Sequence, residues 1–312
     1  MKLLVFILIL INIAYSQDDD NLIFENKYIS NTFKYLEKNI QLLHSKINIY
    51  SKNIDEFISN EYDNLQYNDS YIVFENTFST DKFERFKYEP NFILRIRMPK
   101  LEKKVSFEID NIDDKILEDK VRLNEKLSYK DDRFNIGFIY NELNRNVDYS
   151  IKSGIKLTTK PFIFIKGSIK KPHYINDKNL ISFKNEIRYT NRYKLDNFFS
   201  IAYTNYIDLY YTFSNFNEYF YNHETKDDIF YNSIRLKEKM NNKEYLHYIF
   251  STNSNNIDTS LKIKEYNIYS IYKKYLTKWL YFGVIPSIKF QYEYDYKMNP
   301  GIQIKLGLEI KK

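Results

Sequence analysis

The chain has 312 residues, 18% of them aromatic and 28% charged, with a formal net charge of +6 and no Cys. The missing Cys excludes disulfides, thiolate catalysis, Cys-ligated zinc or iron–sulfur sites and cysteine lipidation. The six Gly (Gly137, Gly154, Gly167, Gly283, Gly301, Gly307) form neither GxGxxG nor GxxxxGK[ST], so phosphate-cradling loops are unsupported. The 31 Tyr and 24 Phe accompany abundant Asn, Lys and Ile, all residues with AT-rich codons. Codon bias alone accounts for that composition, so position rather than abundance carries the information.

Met1 to Ser16 read MKLLVFILILINIAYS. Lys2 supplies a positive n-region, Leu3 to Ile13 are apolar except Asn12, and Ala14 and Ser16 are small residues ahead of Gln17. This anatomy predicts a secretory signal peptide over 1–16, cleaved after Ser16. The apolar run is shorter than the ~20 residues of a membrane-spanning helix. Removal takes away Lys2 and no acid, lowering the net charge from +6 to +5. No later apolar run is long enough for a transmembrane helix.

Residues 17–66 are expected to form a periplasmic helical segment. Between Ile29 and Phe57 the apolar positions are 29, 33, 36, 40, 43, 47, 50, 54 and 57, alternating in steps of four and three. That is a heptad seam, with Phe33, Ile40, Ile47 and Ile54 at one position and Ile29, Leu36, Leu43, Tyr50 and Phe57 at the other. The flanking positions (Glu37, His44, Ser51, Ile58; Thr32, Asn39, Lys46, Asn53) carry no complementary charge code. The helix either self-associates through residues 29–58 or packs as one amphipathic helix.

From 67 to 312 the hydrophobic period becomes two. Phe92, Leu94 and Ile96 alternate with Arg95 and Arg97, and Val105, Phe107 and Ile109 with Ser106 and Glu108. The same pattern runs through 133–140, 149–157, 181–189 and 302–310. Related segments lie near 70–79, 161–170, 196–206, 208–217, 228–239, 244–253, 259–272 and 278–294. Allowing for merged runs, about twelve antiparallel strands are expected.

Period two leaves open what the apolar face meets: a soluble sandwich core, or lipid around a barrel. Runs of nine or more residues match the ~9–11 needed to cross a bilayer. Mid-strand charges (Arg95, Lys152, Lys156, Lys184, Glu186) suit a wet lumen or a solvent face. Tyr71, Phe92, Tyr140, Tyr149, Phe162, Tyr189, Phe198, Tyr206 and Tyr292 near strand ends suit interfacial girdles. Short connections are expected at 99–102, 141–146, 158–161 and 240–243, and longer ones at 111–132, 171–179, 218–227 and 295–300. The expected fold is an all-β, up-and-down transmembrane barrel preceded by the helix.

The C-terminal residues carry a family pattern. Trp279-Leu280, Pro286, Phe290, Glu293, Asp295-Tyr296, Pro300 and the alternating IQIKLGLEI resemble the terminal hairpin of an uncharacterised family of Gram-negative outer-membrane β-barrel proteins. The segment 154–166, GIKLTTKPFIFIK, resembles an early hairpin of that family. The terminal strand, with Lys305, Gly307 and Ile310, also resembles the segment that barrel-assembly machinery recognises, though it ends in Lys311-Lys312 and not an aromatic. The resemblance implies an outer-membrane location, lipid around the wall, and a porin-like or structural role. It implies no activity, and the N-terminal helix stands outside it.

No catalytic, cofactor or metal site is expected. The four His (His44, His173, His223, His247) form no HExxH. His223-Glu224 with Asp227-Asp228 reads as a solvated loop, lacking metal-ligand spacing. His247 and Ser251 share a strand face but lie ~13 Å apart along it, too far for a nucleophile and its base. Glu293 and Asp295 read as structural partners of Lys or Arg. Lys interleaved with Asp and Glu argues against nucleic acid. Alternatives to the pore are a coiled-coil binding or adhesion protein and, more remotely, an outer-membrane lipid hydrolase.

Overall fold

The structure, a computed structural model, describes residues 70–97, 105–110, 135–143 and 147–310, apart from 159, 193, 225, 227, 258 and 259, together with nine positions between Tyr35 and Ile49. Those nine positions are helical and exposed. The seam residues from Ile29 to Phe57, the leader 1–16, the connection 99–102 and the insert 111–132 lie outside the described residues.

Among the described residues fourteen strands form a closed antiparallel barrel. They are β1 (Tyr71–Asp81), β2 (Lys87–Arg97), β3 (Val105–Asp110), β4 (Asn135–Leu143), β5 (Asp148–Lys156), β6 (Phe162–Asn176) and β7 (Asn179–Thr190). They continue with β8 (Lys194–Tyr206), β9 (Tyr211–Asn222), β10 (Asp228–Lys239), β11 (Glu244–Ile257), β12 (Ser260–Tyr275), β13 (Leu280–Gln291) and β14 (Met298–Ile310). Each strand pairs with its chain neighbours, and β1 pairs with β14 to close the wall. The expected count of about twelve is therefore corrected to fourteen. Every period-two segment forms its own strand, because connections as short as Ile207–Tyr210 separate runs that sequence alone allowed to merge.

Two expected loops are also corrected. Residues 171–176 continue β6, leaving only Asp177 and Lys178 as a turn, and 218–222 continue β9. The turns form with little Gly because side-chain oxygens take over the local hydrogen bonding. Asn176 Oδ1 accepts from the Lys178 and Asn179 amides at 2.9 Å each. Asp208 Oδ1 accepts from Tyr210 and Tyr211 at 2.7 Å each. Thr277 Oγ1 accepts from Trp279 at 3.2 Å and Leu280 at 3.0 Å. These three turns occupy the end of the barrel where β1 begins and β14 ends. The longest connection, between β3 and β4, leaves the opposite end.

Alternation along the strands divides the wall into two faces. Ile151, Ile155, Ile163, Ile165, Ile187, Phe199, Ile234, Ile268, Ile302 and Ile304 point outward and are exposed. Glu75, Glu108, Lys152, Glu186, Asp196, Lys289 and Lys305 point inward and are buried. The girdle expectation is corrected at Tyr71, Phe162 and Phe198, which lie on the inner face, Phe162 and Phe198 being buried. The outer face also holds an amide ladder: Asn232 donates to Asn217 at 2.5 Å, and Asn217 to Asn215 at 2.6 Å.

Candidate functional site

The interior differs from wall to wall. On β11, β12 and β13 the inward side chains include Ile249, Tyr269 and Ile285, which pack as an apolar cluster inside the barrel with Ile271 against it. Beside it, Glu75 on β1 accepts a hydrogen bond from Tyr281 Oη at 2.6 Å and meets Lys305 Nζ at 3.4 Å. Tyr281 reaches Glu75 by crossing β14 over Gly307, where a Cβ would sit 2.1 Å from the ring. Only Gly leaves space for that crossing. Lys273 Nζ lies 3.7 Å from the centroid of the same ring. Tyr275 donates to Glu309 at 2.9 Å. Rings, cations and carboxylates thus neutralise and fill this wall.

A second buried anchor ties β2, β3 and β5. Glu108 accepts from Lys152 Nζ at 2.8 Å and from the Arg95 guanidinium. Lys152 reaches it across β4, where Gly137 stands directly opposite both Glu108 and Gly154. A Cβ on either glycine would lie within 2.5 Å of backbone oxygen, so the two strands approach closely only without side chains there.

The wall from β4 to β10 is open. A cavity of about 540 Å³ lies against it, lined by Ser150, Ser168, Ser182, Ser200, Thr204 and Ser214. Among these small hydroxyl residues stand six cations, Arg95, Lys152, Lys166, Lys170, Lys184 and Arg235, against two carboxylates, Asp148 and Glu186. Glu186 lies 3.3 Å from Lys184 and 4.0 Å from Lys166. Arg235 donates to Ser233 Oγ at 2.8 Å and lies over the Phe216 ring.

The residues weighed for chemistry are dispersed. His247 and Ser251 both point inward from β11, with Ile249 between them. Their cross-strand neighbours are Lys237 and Ile271 for His247, and Ser233 and Asn267 for Ser251. No carboxylate stands directly opposite either one. His223 and Glu224 sit in an exposed turn, and Asp227 lies outside the described residues. Glu293 and Asp295 lie in the turn between β13 and β14, where Asp295 faces Lys297 at 3.6 Å. Among the described residues no group of three or more His, Asp or Glu is arranged to hold a metal.

No protein-family model and no curated protein matches the sequence. Three solved structures are similar, two of them described as an outer-membrane protein or channel. Outer-membrane expressed OmpT of Vibrio cholerae is 7% identical with a TM-score of 0.47, covering 80% of this chain and 100% of that one. OccK11 of Pseudomonas aeruginosa is 6% identical with a TM-score of 0.45, covering 78% and 95%. The outer membrane channel DcaP of Acinetobacter baumannii is 6% identical with a TM-score of 0.44, covering 78% and 96%.

Proposed function

We propose that this chain is an outer-membrane β-barrel through which small solutes pass passively. The observation that carries this reading is the reversal of the usual globular order. Large apolar side chains stand exposed around a closed wall whose interior holds charges and hydroxyls. Water-soluble proteins rarely expose contiguous apolar surface beyond a few hundred Å². Closure leaves no strand edge unpaired, as hydrocarbon demands. Thirteen of the fourteen strands have nine or more residues, enough to cross a bilayer when tilted.

In this reading residues 1–16 direct export, 17–66 lie in the periplasm, and 67–312 form the barrel. The end with short Asx and Thr turns faces the periplasm, and the β3–β4 insert faces outside. Strands β13 and β14 contain the terminal hairpin whose family resemblance points the same way, and β14 is the segment offered to assembly machinery. Cell fractionation tests the location. Recovery in the outer membrane, with heat-modifiable gel mobility, is expected; clean recovery in the soluble periplasm overturns it. Planar-bilayer recordings test the pore, and the expected result is stepwise conductance.

A second element is self-association through 29–58. Tyr35, Leu42 and Ile49, spaced seven apart, are all more than half exposed and extend the apolar repeat beyond the seam. Crosslinking before and after deletion of 29–58 checks it: loss of a crosslinked species is expected, and an unchanged monomer removes the idea.

A further inference from the structure

We infer that the open wall is a track for small anions. This rests on the pore reading above and adds to it the class of solute. The wall carries cations in positions that a folded protein normally avoids. Lys152 stands directly opposite Lys166 across β5 and β6, and Lys166 directly opposite Arg188 across β6 and β7. Four residues further along β6, Lys170 stands directly opposite Lys184. All five point inward. Like charges facing each other across a sheet are unfavourable.

Part of this charge is neutralised locally. Glu108 holds Lys152, and Asp196 holds Arg188 at 2.6 Å. Glu186 is shared, 3.3 Å from Lys184 and 4.0 Å from Lys166. The Lys170–Lys184 rung is the more open one, the Lys184 side chain being 45% exposed to the cavity. Lys170 has Asp148 opposite on its other side. The cavity lining holds six cations and two carboxylates, and with Glu108, which pairs with Arg95 and Lys152, cations still outnumber carboxylates two to one.

Between the two cationic rungs lies one row, Ser150 opposite Ser168 and Ser168 opposite Glu186, and beyond Lys184 a hydroxyl pair, Thr204 opposite Ser214, follows. Arg235, opposite Ser214, continues the positive path onto β10. Rungs four residues apart on a strand are ~13 Å apart along it. An anion can therefore pass from one rung to the next along the Ser150–Ser168 side of that row, the Glu186 carboxylate on its other side being shared by Lys184 and Lys166. Excess positive charge in a confined, low-dielectric channel concentrates anions and excludes cations. A wall built only to be wet would carry the hydroxyls without the opposed lysines.

The experiment uses full-length protein in planar bilayers, with reversal potentials measured in a KCl gradient at about 0.1 M, where the Debye length is ~10 Å. A chloride-to-potassium permeability ratio above one is expected. It should fall at least about twofold in Lys170→Gln/Lys184→Gln and approach unity near 1 M salt, where screening is ~3 Å. Lys184→Glu should shift selectivity further toward potassium. A conducting wild type with a ratio of one or below overturns the anion track while leaving the pore. Citrate binding by calorimetry in detergent separates the two readings. Without conductance, citrate binding that the double variant loses keeps the anion site and ends the pore; absence of both ends both.

Discussion

Strands β11–β14 and β1 send rings, paired charges and a small apolar cluster into the barrel, whereas β5–β9 send Ser, Thr, Ala and Lys, with Phe162, Phe164, Phe198 and Phe220 confined to the end where β6 begins. Both walls are built from the same period-two pattern and both turn isoleucine and aromatic rings outward. They differ in what closes each inward charge. Glu75 meets Tyr281 and Lys305, and Asp81 meets Lys289 at 3.1 Å, so these buried charges are paired within that wall. On the other wall, carboxylates are fewer than cations and small side chains leave room for solvent. The first wall is braced from within, and the second borders the cavity on which the proposed passage rests. Glu108, with Arg95 and Lys152, joins the two where β2 gives way to β5.

The largest effect is expected where a buried charge would lose its partner. Glu108→Ala leaves Lys152, 3% exposed, without its carboxylate. Breaking such a pair costs ~3–5 kcal/mol. Urea unfolding of the refolded barrel in detergent should show a correspondingly lower midpoint, and an unchanged midpoint would mean the anchor is solvated. Gly307→Ala should cost ~1–3 kcal/mol, since the added Cβ displaces the Tyr281 ring. Tyr281→Phe on that background tests the cause: the two costs should be less than additive if the lost Glu75 contact is shared. Ala202→Trp acts on the other wall. It should leave stability nearly unchanged, because the cavity accepts the ring, and reduce single-channel conductance to below about half in planar bilayers.

Much of this division was latent in the sequence, yet only part of it was legible. Arg95, Lys152, Lys156, Lys184 and Glu186 announced a wet face by breaking apolar strands at every second residue, and the structure puts all five inside. The count of about twelve allows adjoining runs to merge, as 196–206 and 208–217 invite because Ile207–Tyr210 carries no Gly or Pro; Asp208 makes that turn through side-chain hydrogen bonds. Phe198 was read as a girdle ring from its place near a strand end. It points inward instead, packs on Phe220 at 4.6 Å and lies under Arg188. The face of a single aromatic depends on register, which composition does not reveal. The Glu108–Lys152 anchor spans 44 residues and the Lys170–Lys184 rung depends on pairing between β6 and β7. Neither leaves a local motif.

The smallest expected effect on stability discriminates most sharply between the walls. Lys170 and Lys152 lie on adjacent strands of the same sheet and both point inward. Lys152 is buried against Glu108, which keeps Arg95 as a partner, so Lys152→Gln should destabilise the barrel by ~1.5–3 kcal/mol, the worth of a charged hydrogen bond. Lys170 stands between Asp148 on β5 and Lys184 on β7. Lys170→Gln removes an attraction and a repulsion together, and the net change should stay within ~0.5 kcal/mol. Its effect should appear in ion selectivity instead. A large loss of stability in Lys170→Gln would place this lysine with the structural charges of the closed wall, and the distinction between a wall that holds the fold and a wall that faces the solute would fail at that residue.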